Sequence, residues 1–529
     1  MINRLTIKGI PLSLLAPTFV IASLAAIPLL YLATGTIGAD QESWNWLLRW
    51  NTLQIVGRSL LLVFTVTSMT IIISLPIAFL TDRTNLGFRK PIEIISLLPL
   101  VIPSYIGAYL YMSAVGPGGF IDKFIATPLN IQTPTNAYGF PAAVITLSLL
   151  NYPYVLLTVK SALTQMDRSL EESGRLLGLS GLKVLAKVVI PQLKPAIASG
   201  GLLVALYTLS DFGAVTLLKY KTFTWSIHAQ YEGAFNRHTA SLLSIALVIL
   251  ASGLILTESI SRNLTKYYRT SSGSPKLQSR FQLGFWKWPI TTACLIFLAL
   301  TTILPITILL FWVLRGISQG ISFPILFAST INSVGLATLT ATAALIAVTP
   351  VVFLVTKHKN IFSQLIEKLC YTGYALPSLV VALSFVYLGS KYGGALYQSF
   401  LILILACVIL TLPAALSTVR TRMLQISPRM EESSISLGRS PLKSALTVTI
   451  PALKPGLLMG AIIVFLLTMK ELPAILILSP LDFTTLTTDI WTYATEGLFS
   501  QAAAPSLTLI GISSIAVSIL LWKANIINN

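Results

Sequence analysis

Twelve windows of this 529-residue chain are apolar, most of them over about 20 residues or more, near 11–34, 59–80, 91–115, 140–163, 196–219, 239–260, 289–314, 329–356, 366–389, 397–419, 456–478 and 505–522. About 20 apolar residues cross a bilayer as a helix, and the bilayer core holds no water to satisfy a bare backbone, so helices are the form such windows must take. With 54% hydrophobic and only 10% charged residues, the chain lies far from the roughly 25% charged content of soluble domains. Disorder is excluded for the same reason. The expected fold class is therefore an all-α membrane protein of about twelve transmembrane helices. The first window follows Arg4 and Lys8, as a signal peptide would. An apolar run of about 24 residues exceeds a secretory core of roughly 7–15, however, which favours an uncleaved helix.

The net charge of +18, from 36 Lys and Arg against 18 Asp and Glu, would suggest a nucleic-acid partner in a soluble protein. Here its distribution gives orientation instead. With the N-terminus inside, 27 of the 36 basic residues fall in cytoplasmic segments, eight fall outside, and Lys470 lies within a span. Because positive charge collects on the cytoplasmic side, both termini are expected inside and no nucleic acid is needed. Cys294, Cys370 and Cys407 stand in apolar surroundings without disulfide or zinc spacing, so no metal is expected there. His228 and His238, with Tyr220 and Tyr231, share an outside loop without ligand spacing, where a docking surface or an ordinary loop is a better reading than a metal site.

The chain contains itself twice. Residues 161–200 and 421–460 align without a gap at an offset of 260 and are identical at 16 of 40 positions. Earlier in each half the offset is 274, pairing Ser59 with Ser333, Pro76 with Pro350, Glu93 with Glu367, and Pro103-Ser104 with Pro377-Ser378. The polar segment Ser261–Trp288 reads as a linker, which divides the chain into a first transmembrane half (1–260), a cytoplasmic linker (261–288) and a second transmembrane half (289–529). Six spans is an even number, so both halves enter the membrane in the same direction as parallel repeats.

The best-matched segment of the repeat is a cytoplasmic loop, where lipid imposes nothing. Asp167 and Ser427 are good N-caps, Pro428 suits a first helical position, and Glu171-Glu172 and Glu431-Glu432 sit where a helix dipole favours acids. Gly178 and Gly438 suit a left-handed C-terminal position. Ser180 and Ser440 are expected to cap a second short helix that Pro191 and Pro451 close. The result is a rigid polar knob, present twice.

Glu172-Ser173-Gly174 with Gly178 and Ile190-Pro191, and Glu432-Ser433-Ser434 with Gly438 and Ile450-Pro451, resemble the EAA motif of permease subunits in binding-protein-dependent ABC importers. Ser or Gly replaces the usual Ala, a small-for-small change. The resemblance implies the type I importer permease fold and makes Glu171, Glu172, Gly178, Pro191, Glu431, Glu432, Gly438 and Pro451 ATPase-coupling positions. It also implies two copies of a cytoplasmic ABC ATPase, a periplasmic substrate-binding protein and the bacterial inner membrane as surroundings. No G-x-x-x-x-G-K-[ST] occurs, so ATP is expected to be used by the partner subunit, leaving this chain a transport subunit without a cofactor and not an enzyme.

Charges inside spans cost roughly 2.5–3.5 kcal/mol each and need a reason. Asp211 in one half matches Glu471 in the other, beside Lys470. They read either as a translocation pathway for a cationic substrate or as an ion pair, Asp211 with Lys470, between the halves. Glu93 and Glu367 are expected to cap their helices. The Tyr105, Tyr109 and Tyr111 cluster reads as packing rather than pathway. The fused layout, with Ser210-Asp211-Phe212-Gly213 and Lys470-Glu471-Leu472-Pro473, resembles ferric-iron importer permeases. Thiamine and other small-solute permeases are the alternative. From another class, a secondary transporter with Asp211 and Glu471 as its coupling-ion site would share the span count but gives no reason for the repeated knob.

Overall fold

The computed structural model describes residues 11–116, 119–129, 138–166, 169–178, 180–233, 236–263, 281–321, 326–358, 360–374 and 376–528. These residues are almost entirely helical, and the one isolated β-bridge among them joins Thr84 to Phe281. Ten helices are long and apolar enough to cross a bilayer, and two bent pairs bring the number to twelve when each pair is one span. Asp167 and most of the expected linker lie outside the described residues. The linker's far end is anchored, because Phe281 N donates to Arg83 O at 2.9 Å and Asn85 N to Phe281 O at 3.1 Å.

Four of the expected spans are not straight. Arg89–Val101 meets Ser104–Val115 at 95°, and Ile361–Tyr374 meets Ser378–Tyr392 at 110°. The cause is the repeated proline, since Pro103 and Pro377 stand at the N-cap of the second helix with extended backbones. A proline lacks the N–H that would continue the helix, and its ring bars the preceding residue from helical conformation. The windows near 196–219 and 456–478 also end early. Ile190–Ser210 is followed by a short helix, Gly213–Leu217, and Ile450–Met469 by Pro473–Leu478.

The helices pack into two compact units. One gathers the described residues of 1–43, 236–244 and 321–529, and the other those of 44–235 and 245–320. Each has the same three-helix centre. In one it is Leu326–Lys357, Phe400–Gln425 and Ile450–Met469; in the other it is Trp50–Arg83, Phe140–Gln165 and Ile190–Ser210. The first helix of each sequence half packs outside that half. Leu12–Ile37 lies on Leu326–Lys357, Ile361–Tyr371 and Ser378–Tyr392, with the Tyr31 and Tyr387 rings 5.5 Å apart. Lys287–Leu298 and Leu304–Ser318 pack on Arg89–Ile95 and Ser104–Val115. A division of the sequence at the linker is thus not a division of the packing. Tyr105 and Tyr109 are buried in the protein.

Small residues let the central helices approach, the usual device where lipid offers no hydrophobic contrast. Gly200 and its counterpart Gly460 both serve this way, but not equally. A Cβ at Gly200 would meet Thr158 Oγ1 and stand 2.9 Å from Val155 Cα, whereas one at Gly460 would meet side-chain ends, Leu345 and Val419, at 3.3 Å and backbone, Ala415 O, at 4.0 Å. Backbone cannot yield as a side chain can. Gly200→Ala is expected to destabilise the detergent-solubilised protein by about 1–3 kcal/mol and Gly460→Ala by less than about 1 kcal/mol, read as the shift in melting temperature. Equal shifts would contradict the packing described.

Candidate functional site

Two features recur in both repeats with chemistry attached, the loops at residues 166–190 and 426–450 and the helix breaks at Asp211 and Glu471. In the first loop, Ser169–Leu176 ends at Gly178 with φ +80°; in the second, Pro428–Ser436 ends at Gly438 with φ +86°. Left-handed backbone of this kind costs a side-chain-bearing residue energy that glycine avoids. Ser440 accepts a cap bond from Lys443 N at 3.3 Å, while Ser427 occupies the N-cap position without a side-chain cap bond. Ser434 and Gly174, third in the E-x-x pattern, face inward, which explains why that position must be small.

Pro191 and Pro451 do not close the second helix. The chain stays helical from Gly181 through a five-residue π turn, Leu185–Val189, into Ile190–Ser210, and likewise from Pro441 through Ala445–Thr449 into Ile450–Met469. The wider turn leaves room for the proline ring just beyond it, and π turns of this kind mark functional sites. Each loop therefore continues as one rod into a long helix.

The first glutamate of each loop meets a base at the end of a central helix. Glu171 is buried, 3.0 Å from Arg83 Nη2 at the end of Trp50–Arg83. Glu431 pairs in the same way with Lys357 at the end of Leu326–Lys357 and accepts from Thr449 Oγ1 at 2.7 Å. Glu432, in contrast, is exposed, and Glu172 follows Glu171 in its helix. Beside the glycines, Leu177 and Leu437 are 83% and 85% exposed. A large apolar residue thus stands bare at the same corner of both copies.

Glu93 and Glu367 are not helix caps. Each sits inside its helix and pairs with a base, Glu93 with Lys160 and Glu367 with Arg420 at 3.3 Å. A carboxylate inside a helix has no free N–H to cap, so the cation decides its place.

At the breaks, Asp211 Oδ1 accepts from Ala214 N at 2.9 Å and Val215 N at 3.3 Å, and the carboxylate also accepts from Ser104. In the other unit Glu471 Oε1 accepts from Ala474 N at 3.3 Å and the carboxylate accepts from Ser378. Each acid thus caps the short helix after its own break and ties it to the serine that opens the helix after the proline break. Thr224 Oγ1 donates to Asp211 O at 2.5 Å and Thr487 Oγ1 to Met469 O at 3.3 Å. Lys470 is the C-cap residue of Ile450–Met469. Asp211 belongs to one packing unit, and Lys470 and Glu471 to the other.

His228 and His238 also fall in different units. His228 Nε2 is 3.2 Å from Glu232 and its ring lies 4.7 Å from Phe212; His238 Nδ1 is 3.2 Å from Gly35 O. Tyr220 donates to Arg58 O at 3.1 Å.

A family model described as a binding-protein-dependent transport system inner membrane component matches residues 74–266 and 350–526, one match in each repeat. Both stretches contain the proline break, the loop and the acid. Among known proteins, the Fe(3+)-transport system permease protein FbpB 2 of Haemophilus influenzae is 32% identical over 470 residues, 88% of this chain and 89% of that protein. The ferric transport system permease protein FbpB of Actinobacillus pleuropneumoniae is 23% identical over 84% of this chain and 68% of its own length. The sulfate transport system permease protein CysT of Salmonella typhimurium is 25% identical over 51% of this chain and 98% of its own.

If the acids hold the breaks as caps, shape matters before charge. Asp211→Asn keeps an acceptor oxygen and is expected to melt close to wild type, whereas Asp211→Ala loses about 0.5–2 kcal/mol. Glu471→Gln and Glu471→Ala should separate in the same order, and equal melting of all four would contradict the capping role.

Proposed function

The chain belongs to the family of binding-protein-dependent transport system inner membrane components, and from that membership we propose that it is the fused, two-half permease of an ABC importer carrying ferric iron. The observation that carries the reading is the doubled loop, which presents Leu177 and Leu437 bare beside rigid glycine turns and so suits two identical docking partners. Two copies of a cytoplasmic ABC ATPase would bind there, and a periplasmic substrate-binding protein would deliver cargo on the opposite face. The excess of basic residues in the loop-side segments supports both termini inside. Iron is favoured over thiamine because relatives matched across most of the chain are named for ferric transport.

In this scheme ATP binding closes the ATPase dimer and draws the loops together, and the spanning helices open toward the binding protein. Hydrolysis resets them. The chain supplies the path and the lever, and chemistry on ATP belongs to the partner. Asp211 and Glu471 are placed beside the transit route, as acids at matching positions in both repeats that would favour a trivalent cation. A secondary transporter would give no reason for the repeated loop with its bare Leu177 and Leu437.

Proteoliposomes holding this chain, the ATPase and the binding protein are expected to take up ferric iron with ATP inside and to stop with vanadate. Uptake that needs no ATPase and collapses with a protonophore would overturn the reading. Asp211→Asn, which preserves the cap, is expected to abolish uptake while the complex still assembles, and undiminished uptake would remove Asp211 from the route.

A further inference from the structure

Two of the three central helices in each unit are joined to the docking loop by the chain itself. Phe140–Gln165 runs into the first loop, and Ile190–Ser210 leaves it as a continuous rod. The third, Trp50–Arg83, ends at Arg83 and continues away toward Arg89, with no peptide link to the loop close by. Arg83 bridges this gap. Its Nη2 is 3.0 Å from Glu171 Oε1 and donates to Leu163 O at 2.9 Å, and its Nη1 is 3.1 Å from Asp82 Oδ2. Its side chain is 3% exposed and that of Glu171 7%.

The second repeat rebuilds the link with other residues. Leu326–Lys357 ends at Lys357, whose Nζ pairs with Glu431 Oε1 while lying 4.8 Å from the Phe353 ring centre. Glu431 also receives Thr449 Oγ1 at 2.7 Å, from the π turn that leads into Ile450–Met469. Burial pushes the Glu431 carboxyl up, but the bonds from Lys357 and Thr449 outweigh it and hold the group below its usual range, so the carboxylate stays ionised at neutral pH.

We propose that Arg83–Glu171 and Lys357–Glu431 are struts that carry movement of each docking loop into the third central helix of its unit. The loop glutamates are then divided in labour. The first glutamate of each loop faces a membrane helix, and in the second loop the exposed Glu432 is left for the ATPase. These are positioning residues, and the inference rests on the ABC permease reading. The struts are unequal, because Arg83 has three oxygen partners in a buried site, whereas the Lys357 side chain is 34% exposed. A guanidinium holds several acceptors in fixed directions, and an ammonium on a flexible stem does not.

The test uses the full complex of permease, ATPase and binding protein in proteoliposomes, with Glu171→Gln, Arg83→Gln, Glu431→Gln, Lys357→Gln and the charge-swapped double variant Arg83→Glu with Glu171→Arg. The readout is cargo moved per ATP hydrolysed, alongside co-purification of the ATPase. Cutting a strut is expected to lower that ratio about tenfold, within the usual span of coupling between sites, with the ATPase still bound and hydrolysing. The first strut should cost more than the second, and the swap should recover part of the loss. An unchanged ratio, or loss of ATPase binding in Glu171→Gln, would overturn the inference. Should the buried-pair variants fail to accumulate, Lys357→Gln and Glu431→Gln, at the less buried pair, decide the matter alone. A wild-type complex that moves no cargo with ATP would sink the permease reading itself, whereas normal wild-type uptake with unaffected variants would sink only the struts.

Discussion

A helix that breaks within an apolar layer strands N–H groups that no water can reach, and every such break must be satisfied from inside the protein. Each repeat of this chain breaks its helices twice, after Ile102 and Ser210 in the first and after Leu376 and Met469 in the second. One carboxylate serves both breaks of its repeat. Asp211 and Glu471 accept the N–H groups of their own following helix and a hydroxyl from the serine that opens the other. The bent pairs can therefore stand in a bilayer at all, and the three central helices of each unit have something fixed to pack beside. A neighbouring bond repeats as well, with Phe223 N donating to Ser59 Oγ at 3.1 Å and Leu486 N to Ser333 Oγ at 2.8 Å.

Most of the architecture was legible in the sequence because hydropathy and internal repetition are strong signals. The straight spans, the doubled loop and the left-handed Gly178 and Gly438 all follow from residue type and spacing. The breaks at Asp211 and Glu471 are foreshadowed by the helix-weakening Gly213 and Pro473 two residues on, whereas those at Pro103 and Pro377 were not legible, since a window of about 20 residues averages one proline into a long apolar run. Pro191 misled for a related reason. Proline normally ends a helix, and nothing in Leu185–Val189 announces the π turn that makes room for it.

The ion pairs escaped for a different reason. Each pair that recurs in both repeats joins positions related by different offsets, 274 for one partner (Arg83 and Lys357, Glu93 and Glu367) and 260 for the other (Glu171 and Glu431, Lys160 and Arg420). Arg83 meets Glu171, Lys357 meets Glu431, Glu93 meets Lys160, and Glu367 meets Arg420. Alignment of the halves shows which positions correspond, but not which of them touch. Once the contacts are known, the correspondence becomes informative in reverse. An Arg–Glu contact rebuilt as Lys–Glu shows that the contact was kept while its stiffness was not.

The exchange of first helices bears on how the protein is made. Leu12–Ile37 is synthesised long before the helices 326–392 on which it comes to rest, so it must wait in lipid without its neighbours. Its surface suits this, with Phe19, Val20 and Leu30 outward and a separate face that includes Thr18, Ile21, Ala25, Tyr31 and Leu32 kept for contact. Were the halves separate proteins, a surplus of either would leave first helices stranded in the bilayer and packing sites unfilled. Translating both from one message fixes their ratio at one to one, and every early helix is guaranteed the late partner it needs.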